Sequence, residues 1–241
     1  DQAIRRGEVP PLLYVYAYAG RQSFFTDTVD GRVKAETVIV DELVPHVDRT
    51  FRTIARRSAR AIQGWSMGGF GALKIALRHP EHFSSVVCHG AFFGTAGELR
   101  RHHPELFARV FGTNTRFDEH APYALVKEHA ALLRERLPLR FDVGTVDPAL
   151  AANRRLHERL EALDVPHEYD ELTNVGHDPR QVYRTAGVRG FVFQAQRFTE
   201  LDGPHPASLR ERLQAFVDAG EFAGVVAVIG RGARTTVESV G

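Results

Sequence analysis

The sequence predicts an α/β fold built on a mostly parallel sheet covered by helices. Two observations carry this expectation. Apolar runs alternate with amphipathic helical stretches through most of the chain, and the runs are continuous enough to suit strands covered on both faces. Strands separated by helices connect in parallel, because each crossover returns the chain to the same end of the sheet.

Taken in order, Leu12, Leu13, Tyr14, Val15, Tyr16 and Ala17 follow Pro10 and Pro11 as one apolar run, which predicts a buried strand. Val44, Val47, Phe51 and Ile54 recur at helical spacing and predict one face of a helix. Residues 60–63 read as a short strand ending at Gly64. Residues 69–77 read as a helix that stops before His79 and Pro80, since the residue ahead of a proline is disfavoured in helical conformation. Ser85, Val86, Val87 and Cys88 predict another buried strand. Residues 95–135 lose the rhythm: Gly94, Gly97, Pro104, Gly112 and Pro122 punctuate short helical pieces, which predicts a lid-like excursion over the sheet. Residues 139–143 resume a strand, Leu156, Leu160 and Leu163 mark the next helix, residues 167–172 form a strand, and a helix from about Pro179 closes the unit.

This places one domain over residues 1–200. Gly203, Pro204 and Pro206 mark a linker over 201–208. Beyond it, residues 209–241 read as a helix over 209–219 and a hairpin, with apolar strands on either side of Gly230, Arg231 and Gly232.

Composition bounds the function. The chain has 241 residues, 43% hydrophobic and 25% charged, an ordinary globular balance. Lys and Arg number 31 against 30 Asp and Glu, so no basic excess exists to neutralise a nucleic-acid backbone. No apolar run approaches the roughly 18–20 residues needed to span a bilayer. Neither nucleic acid nor membrane is an expected partner, no leader segment is read, and a cytoplasmic location is expected. The single cysteine, Cys88, excludes a disulfide framework and a Cys-rich metal site, and on a buried strand it reads as inert core.

One motif carries chemistry. Gly64, Trp65, Ser66, Met67 and Gly68 fit G-x-S-x-G between a predicted strand and a predicted helix. Such a turn lifts the serine hydroxyl above the sheet and aims the Met67 amide, at the positive end of the helix, toward a developing oxyanion. A serine needs a base to take its proton, and the base needs an orienting carboxylate. On this kind of sheet the chain order is serine, acid, histidine. His177, in a loop between the last strand and the last helix, is the favoured base among 12 histidines. His129 and His157 fall in helical stretches, and His79 and His82 read as surface or cap residues. His102 and His103, adjacent on a helix, point apart and do not make a metal site. Asp147, in the turn after residues 139–143, is the favoured acid, at the carboxyl end of a strand where such sheets place their sites. Asp142 and Asp170 lie inside strands, and Asp178 reads as a helix cap.

These residues, with Glu42, Leu43, Val44, Pro45, His46, Val47 and Asp48, the flanks of the turn from Arg60 to Leu73, and His177 with Asp178, resemble the Putative esterase family of α/β-hydrolases. That family includes S-formylglutathione hydrolases, feruloyl and acetylxylan esterases, and antigen-85-type acyltransferases. The resemblance spans about residues 10–198 and implies the α/β-hydrolase fold. It also implies ester hydrolysis through an acyl-enzyme, with Ser66 as nucleophile, His177 as base and then acid, Asp147 as orienter, and neither cofactor nor metal. The segment from Gly20 to Asp27 resembles the family's segment near the pocket, which implies Gly20, Ser23 and Phe24 as substrate contacts. Trp65, beside the serine, reads equally as substrate contact or core.

The family carries an earlier central strand whose His-Gly-type loop supplies a second oxyanion donor. The chain is expected to begin after it, N-terminally incomplete relative to the family. Losing one such donor typically costs about 10²–10³ in turnover, so a slow enzyme is expected unless an amide near Tyr18, Ala19 and Gly20 substitutes. The tail from Leu209 resembles the start of a serine β-lactamase-like domain, but no S-x-x-K follows residue 205, so that chemistry is not implied. The hairpin is expected to cover a sheet edge, within the chain or across a homo-oligomer. The resulting expectation is a serine carboxylesterase for small, short-acyl esters. The alternatives are an acyltransferase and a catalytically weak binding or assembly domain.

Overall fold

The computed structural model describes residues 2–18, 20, 23–202, 225–231 and 234–240. Among these, β1 (Ile62–Trp65), β2 (Val86–His89), β3 (Leu139–Gly144) and β4 (His167–Leu172) form one sheet in that order, each neighbour parallel. Every crossover is helical. Met67–Arg78 joins β1 to β2, and Leu150–Ala162 joins β3 to β4. Between β2 and β3 run short helices at Ala96–His102, Pro104–Val110, Asn114–Asp118, Pro122–Glu128 and Ala130–Glu135, the excursion that the glycines and prolines predict. Pro179–Thr185 and Gly187–Asp202 follow β4.

The strand register sorts side chains onto two faces. Ile62, Val86, Leu139 and, two residues on, Cys88 and Phe141 point to one face, where they pack with Leu73, Ile75 and Leu77 of Met67–Arg78 and with Leu156 and Leu160. Trp65, His89, Asp142 and Asp170 form a row across the opposite face. There Gly190 packs close to Val87 and His89, and the Tyr183 ring meets His89 with centroids 5.1 Å apart.

Met67–Arg78 is buried from Gly69 to Leu77, including Lys74. The Lys74 ammonium donates to Phe25 O, to Thr26 Oγ1 at 3.0 Å and to Glu36 Oε2 at 2.8 Å. Glu36 also accepts from Arg78 Nε at 2.8 Å and lies 2.9 Å from His79 Nε2. Burial lowers the Lys74 pKa to about 8, with Glu36 opposing the shift. Burial by itself would raise the Glu36 carboxyl, but the His79 hydrogen bond and the Lys74 charge hold it well below the usual carboxylate range. This network ties down a turn in which both Phe24 and Phe25 sit in the left-handed region, at φ 51° and 52°.

Two sequence expectations fail. Residues 10–18 form no strand: Leu13 is 54% and Tyr16 92% exposed. A strand needs a neighbour's N–H and C=O groups as much as apolar side chains, and among the described residues no ladder reaches this run. It is held instead through Tyr14, whose ring meets Phe191 at 5.0 Å. The second failure is the helix through Ile54. A helical segment runs from Ala35–Thr37 through a π-helical stretch, Val38–Leu43, into Val44–Thr50, and ends there. Phe51 is extended, because Asp48 accepts from Thr53 Oγ1 at 2.9 Å and from Arg60 at 2.5 Å, which turns the chain out of the helix. Elsewhere the strand and helix positions agree to within about two residues, as at β1, which runs to Trp65 rather than ending at Gly64.

Residues 1–198 and 199–241 form separate compact units. In the second, β5 (Val225–Arg231) and β6 (Arg234–Val240) pair antiparallel, Val225 opposite Val240. The helix expected over 209–219 and residues 203–208 of the expected linker lie outside the described residues, while Leu201 and Asp202 end the preceding helix.

Candidate active site

β1 ends at Trp65, and Ser66 follows with φ 54° and ψ −117°, a conformation that non-glycine residues rarely adopt. It is held from both sides: its N–H donates to His89 O at 2.9 Å, and its carbonyl accepts from Gly69 N at 3.0 Å and Phe92 N at 3.2 Å. Two glycines make the turn sterically feasible. A Cβ on Gly64 would lie 2.1 Å from Gly68 O, and one on Gly69 would lie 2.5 Å from Ala91 Cβ. Gly68, the last residue of the pattern, is different, since a Cβ there would meet Phe25 Cε2 at an ordinary 3.8 Å. Met67 opens the helix, where geometry leaves its amide without an intrahelical acceptor and pointing along the positive end of the dipole.

The structure brings Ser66, His177 and Asp147 together. Ser66 Oγ lies 2.8 Å from His177 Nε2, and His177 Nδ1 lies 2.8 Å from Asp147 Oδ2. The other carboxylate oxygen, Oδ1, accepts from Ala149 N at 2.7 Å. The Asp147 side chain is fully buried, whereas the His177 side chain is 33% exposed. With the carboxylate accepting at Nδ1–H, Nε2 is left as an acceptor facing the serine hydroxyl. The three residues follow β1, β3 and β4, so each reaches the site from the carboxyl end of a parallel strand. Asp178 caps Pro179–Thr185, its Oδ1 accepting from Arg180 N at 2.8 Å, as its position predicts.

The residues expected as substrate contacts take the following places. Ser23 and Phe24 are buried. Ser23 Oγ accepts from Phe25 N at 3.1 Å, and Phe24 packs edge-on to Phe70 and Phe92, in a cluster that Met67 borders. Gly20 takes φ 79°, while Ala19, Arg21 and Gln22 lie outside the described residues. Trp65 packs against Leu172, Val175, Val182 and Ala186, and its ring lies on His177 with centroids 4.5 Å apart. Sequence reasoning missed that stack, and it missed a fully buried pair in the same row, His89 Nδ1 to Asp142 Oδ2 at 2.8 Å. It also missed the Lys74 network, for which one signal was present: a single lysine among Ala72, Leu73, Ile75, Ala76 and Leu77.

Known proteins share this arrangement of chain. Esterase Rv1288 of Mycobacterium tuberculosis is 29% identical over 193 residues, covering 67% of this chain and 41% of that protein. The chain thus spans about two fifths of the length of that curated relative. A solved ferulic acid esterase superposes with a TM-score of 0.69 at 24% identity, over 82% of this chain and 75% of that one. An S-formylglutathione hydrolase from Agrobacterium tumefaciens gives 0.62 at 22% identity, over 73% and 64%. At these identities the solved structures establish a shared fold, the α/β-hydrolase fold of esterases. The family described as Putative esterase matches residues 2–191, most of the chain, and the protein belongs to that family.

Proposed function

We propose that the protein is a serine carboxylesterase that hydrolyses small, short-acyl esters through an acyl-enzyme. The observation that carries this reading is the continuous hydrogen-bonded path from Ser66 Oγ through His177 to Asp147, 2.8 Å at each step. His177 Nε2 takes the hydroxyl proton as Oγ attacks the ester carbon, and the carbonyl electrons move onto oxygen. Collapse of the tetrahedral adduct expels the alcohol, which receives that proton from the imidazolium. Water then repeats the sequence on the acyl-enzyme. The Met67 amide is one donor to the oxyanion.

The name of the curated relative, Esterase, supports ester hydrolysis. A small acyl group is supported by the filling of the cluster beside Met67: Phe24, Phe70, Phe107, Phe111 and Phe117 are all buried against one another. The test is labelling with a fluorophosphonate, followed by hydrolysis of p-nitrophenyl esters of rising acyl length. Labelling that disappears in Ser66→Ala, with turnover greatest on the shortest esters, is the expected result. An unlabelled wild-type protein overturns the serine mechanism, and a rate that rises with added alcohol reassigns it to acyl transfer.

A further inference from the structure

We infer that Trp65 is a positioning residue for His177, its indole face stabilising the imidazolium that forms when Ser66 gives up its proton; this rests on the serine mechanism proposed above. His177 comes from the loop between β4 and Pro179–Thr185 and is held at its two nitrogens, by Asp147 and Ser66. Imidazole nitrogens bond along directions in the ring plane, so two such bonds constrain least the tilt of the ring about the line joining the nitrogens. Trp65 supplies the missing constraint. Its ring lies 4.5 Å from the imidazole, centroid to centroid, with the planes 34° apart.

The indole is itself immobilised. It extends from the last residue of β1 into Leu172, Val175, Val182 and Ala186. On another side, a Cβ on Gly90 would lie 3.3 Å from Trp65 Nε1 and 3.3 Å from Asp147 Oδ2. Gly90, at φ 49°, where a side chain is strained, therefore packs close to both the indole and the carboxylate. The platform and the orienting acid thus neighbour the same residue.

The chemistry gives the stack its purpose. An aromatic face carries negative quadrupole density, and among the aromatic rings indole attracts a cation most strongly. In the resting state His177 is the neutral acceptor and gains little from it. As the Oγ–H bond breaks and the Nε2–H bond forms, the oxygen's electron pair goes to the acyl carbon and a positive charge spreads over the imidazole. The attraction is then realised in the transition state rather than in the bound ester, so it raises kcat and leaves KM unchanged.

The chain contains a single tryptophan, which makes the test clean. Biosynthetic replacement by mono-, di- and tetrafluorotryptophan changes residue 65 alone, draws density from its face in steps and nearly preserves its shape. With p-nitrophenyl acetate, kcat is expected to fall stepwise with fluorination, by about two- to thirtyfold across the series, with KM and Tm unchanged. Trp65→Phe is expected to retain more activity than Trp65→Leu. A purely structural role for Trp65 predicts no trend in the fluorinated series. A flat kcat in a protein whose Ser66 is labelled by fluorophosphonate overturns this inference alone. A wild-type protein that is not labelled overturns the serine mechanism, and this inference with it.

Discussion

Replacing Asp147 with asparagine changes one atom and isolates the role of the carboxylate. Both oxygens of Asp147 accept, Oδ2 from His177 at 2.8 Å and Oδ1 from Ala149 N at 2.7 Å. Asparagine offers one acceptor and one donor, so it satisfies only one of these partners. If its oxygen stays with Ala149 N–H, its NH₂ faces His177 Nδ1, which must then accept; the ring proton moves to Nε2, where it confronts the serine hydroxyl and blocks proton transfer. The flipped amide restores the working tautomer but sets NH₂ against the Ala149 N–H in a buried site. Leaving that donor unsatisfied costs about 1–3 kcal/mol, which makes the productive arrangement about 5- to 150-fold rarer. Loss of the negative charge beside the imidazolium adds to this deficit, so kcat should fall about 10³- to 10⁴-fold overall. The side chains are nearly isosteric, so Tm should stay within a few degrees. Hydrolysis of p-nitrophenyl acetate and a thermal melt measure both quantities. A variant with unchanged Tm that keeps kcat within about tenfold of wild type refutes the assignment of Asp147 as orienter.

Two further substitutions probe the framework. Gly69→Ala places a methyl 2.5 Å from Ala91 Cβ, which must push Met67–Arg78 away from the turn after β2; the overpacking should cost about 1–3 kcal/mol and lower Tm by roughly 2–12 °C, while Gly68→Ala leaves Tm unchanged. Equal melts for the two variants would contradict the glycine assignment. For Lys74, the folded pKa of about 8 lies below the ordinary 10.5. Its burial penalty is therefore fully present below about pH 8 and is relieved as pH rises toward 10.5, so its contribution to stability climbs across that window. Urea melts should show unfolding free energy rising from pH 8 to 10.5 for wild type relative to Lys74→Met, and a pH-independent difference between the two would refute a buried, charged lysine.

The elbow and the strand-end residues were legible in the sequence because the order of elements along the chain specifies their places. A strand, a glycine-flanked serine and a helix in succession specify the elbow at Ser66, and the strand-end positions of Asp147 and His177 follow from sheet topology. Features that depend on a distant partner and carry no motif of their own were not legible. Residues 12–17 have the composition of a strand, but composition does not supply a neighbour to pair with. The apolar spacing through Phe51 and Ile54 extends past the helix, because a side-chain contact from Asp48 to Thr53 and Arg60 decides where it stops. The Trp65 stack and the pairing of Lys74 with Glu36 join residues 112 and 38 positions apart, as 177 − 65 and 74 − 36, and no local periodicity encodes either one.

The excursion between β2 and β3 leaves the sheet after His89 and rejoins it at Leu139, and its helices bury Leu99, Leu106, Phe107, Val110 and Phe117 in one cluster with Phe24 and Phe70. Ser66, Asp147 and His177 are anchored to β1, β3 and β4, outside that loop of chain. The excursion touches that framework at its first residues, where Phe92 N donates to Ser66 O at 3.2 Å and Ala91 O accepts from Asn153, so change in its later helices leaves the strand-end spacing intact while change at its root does not.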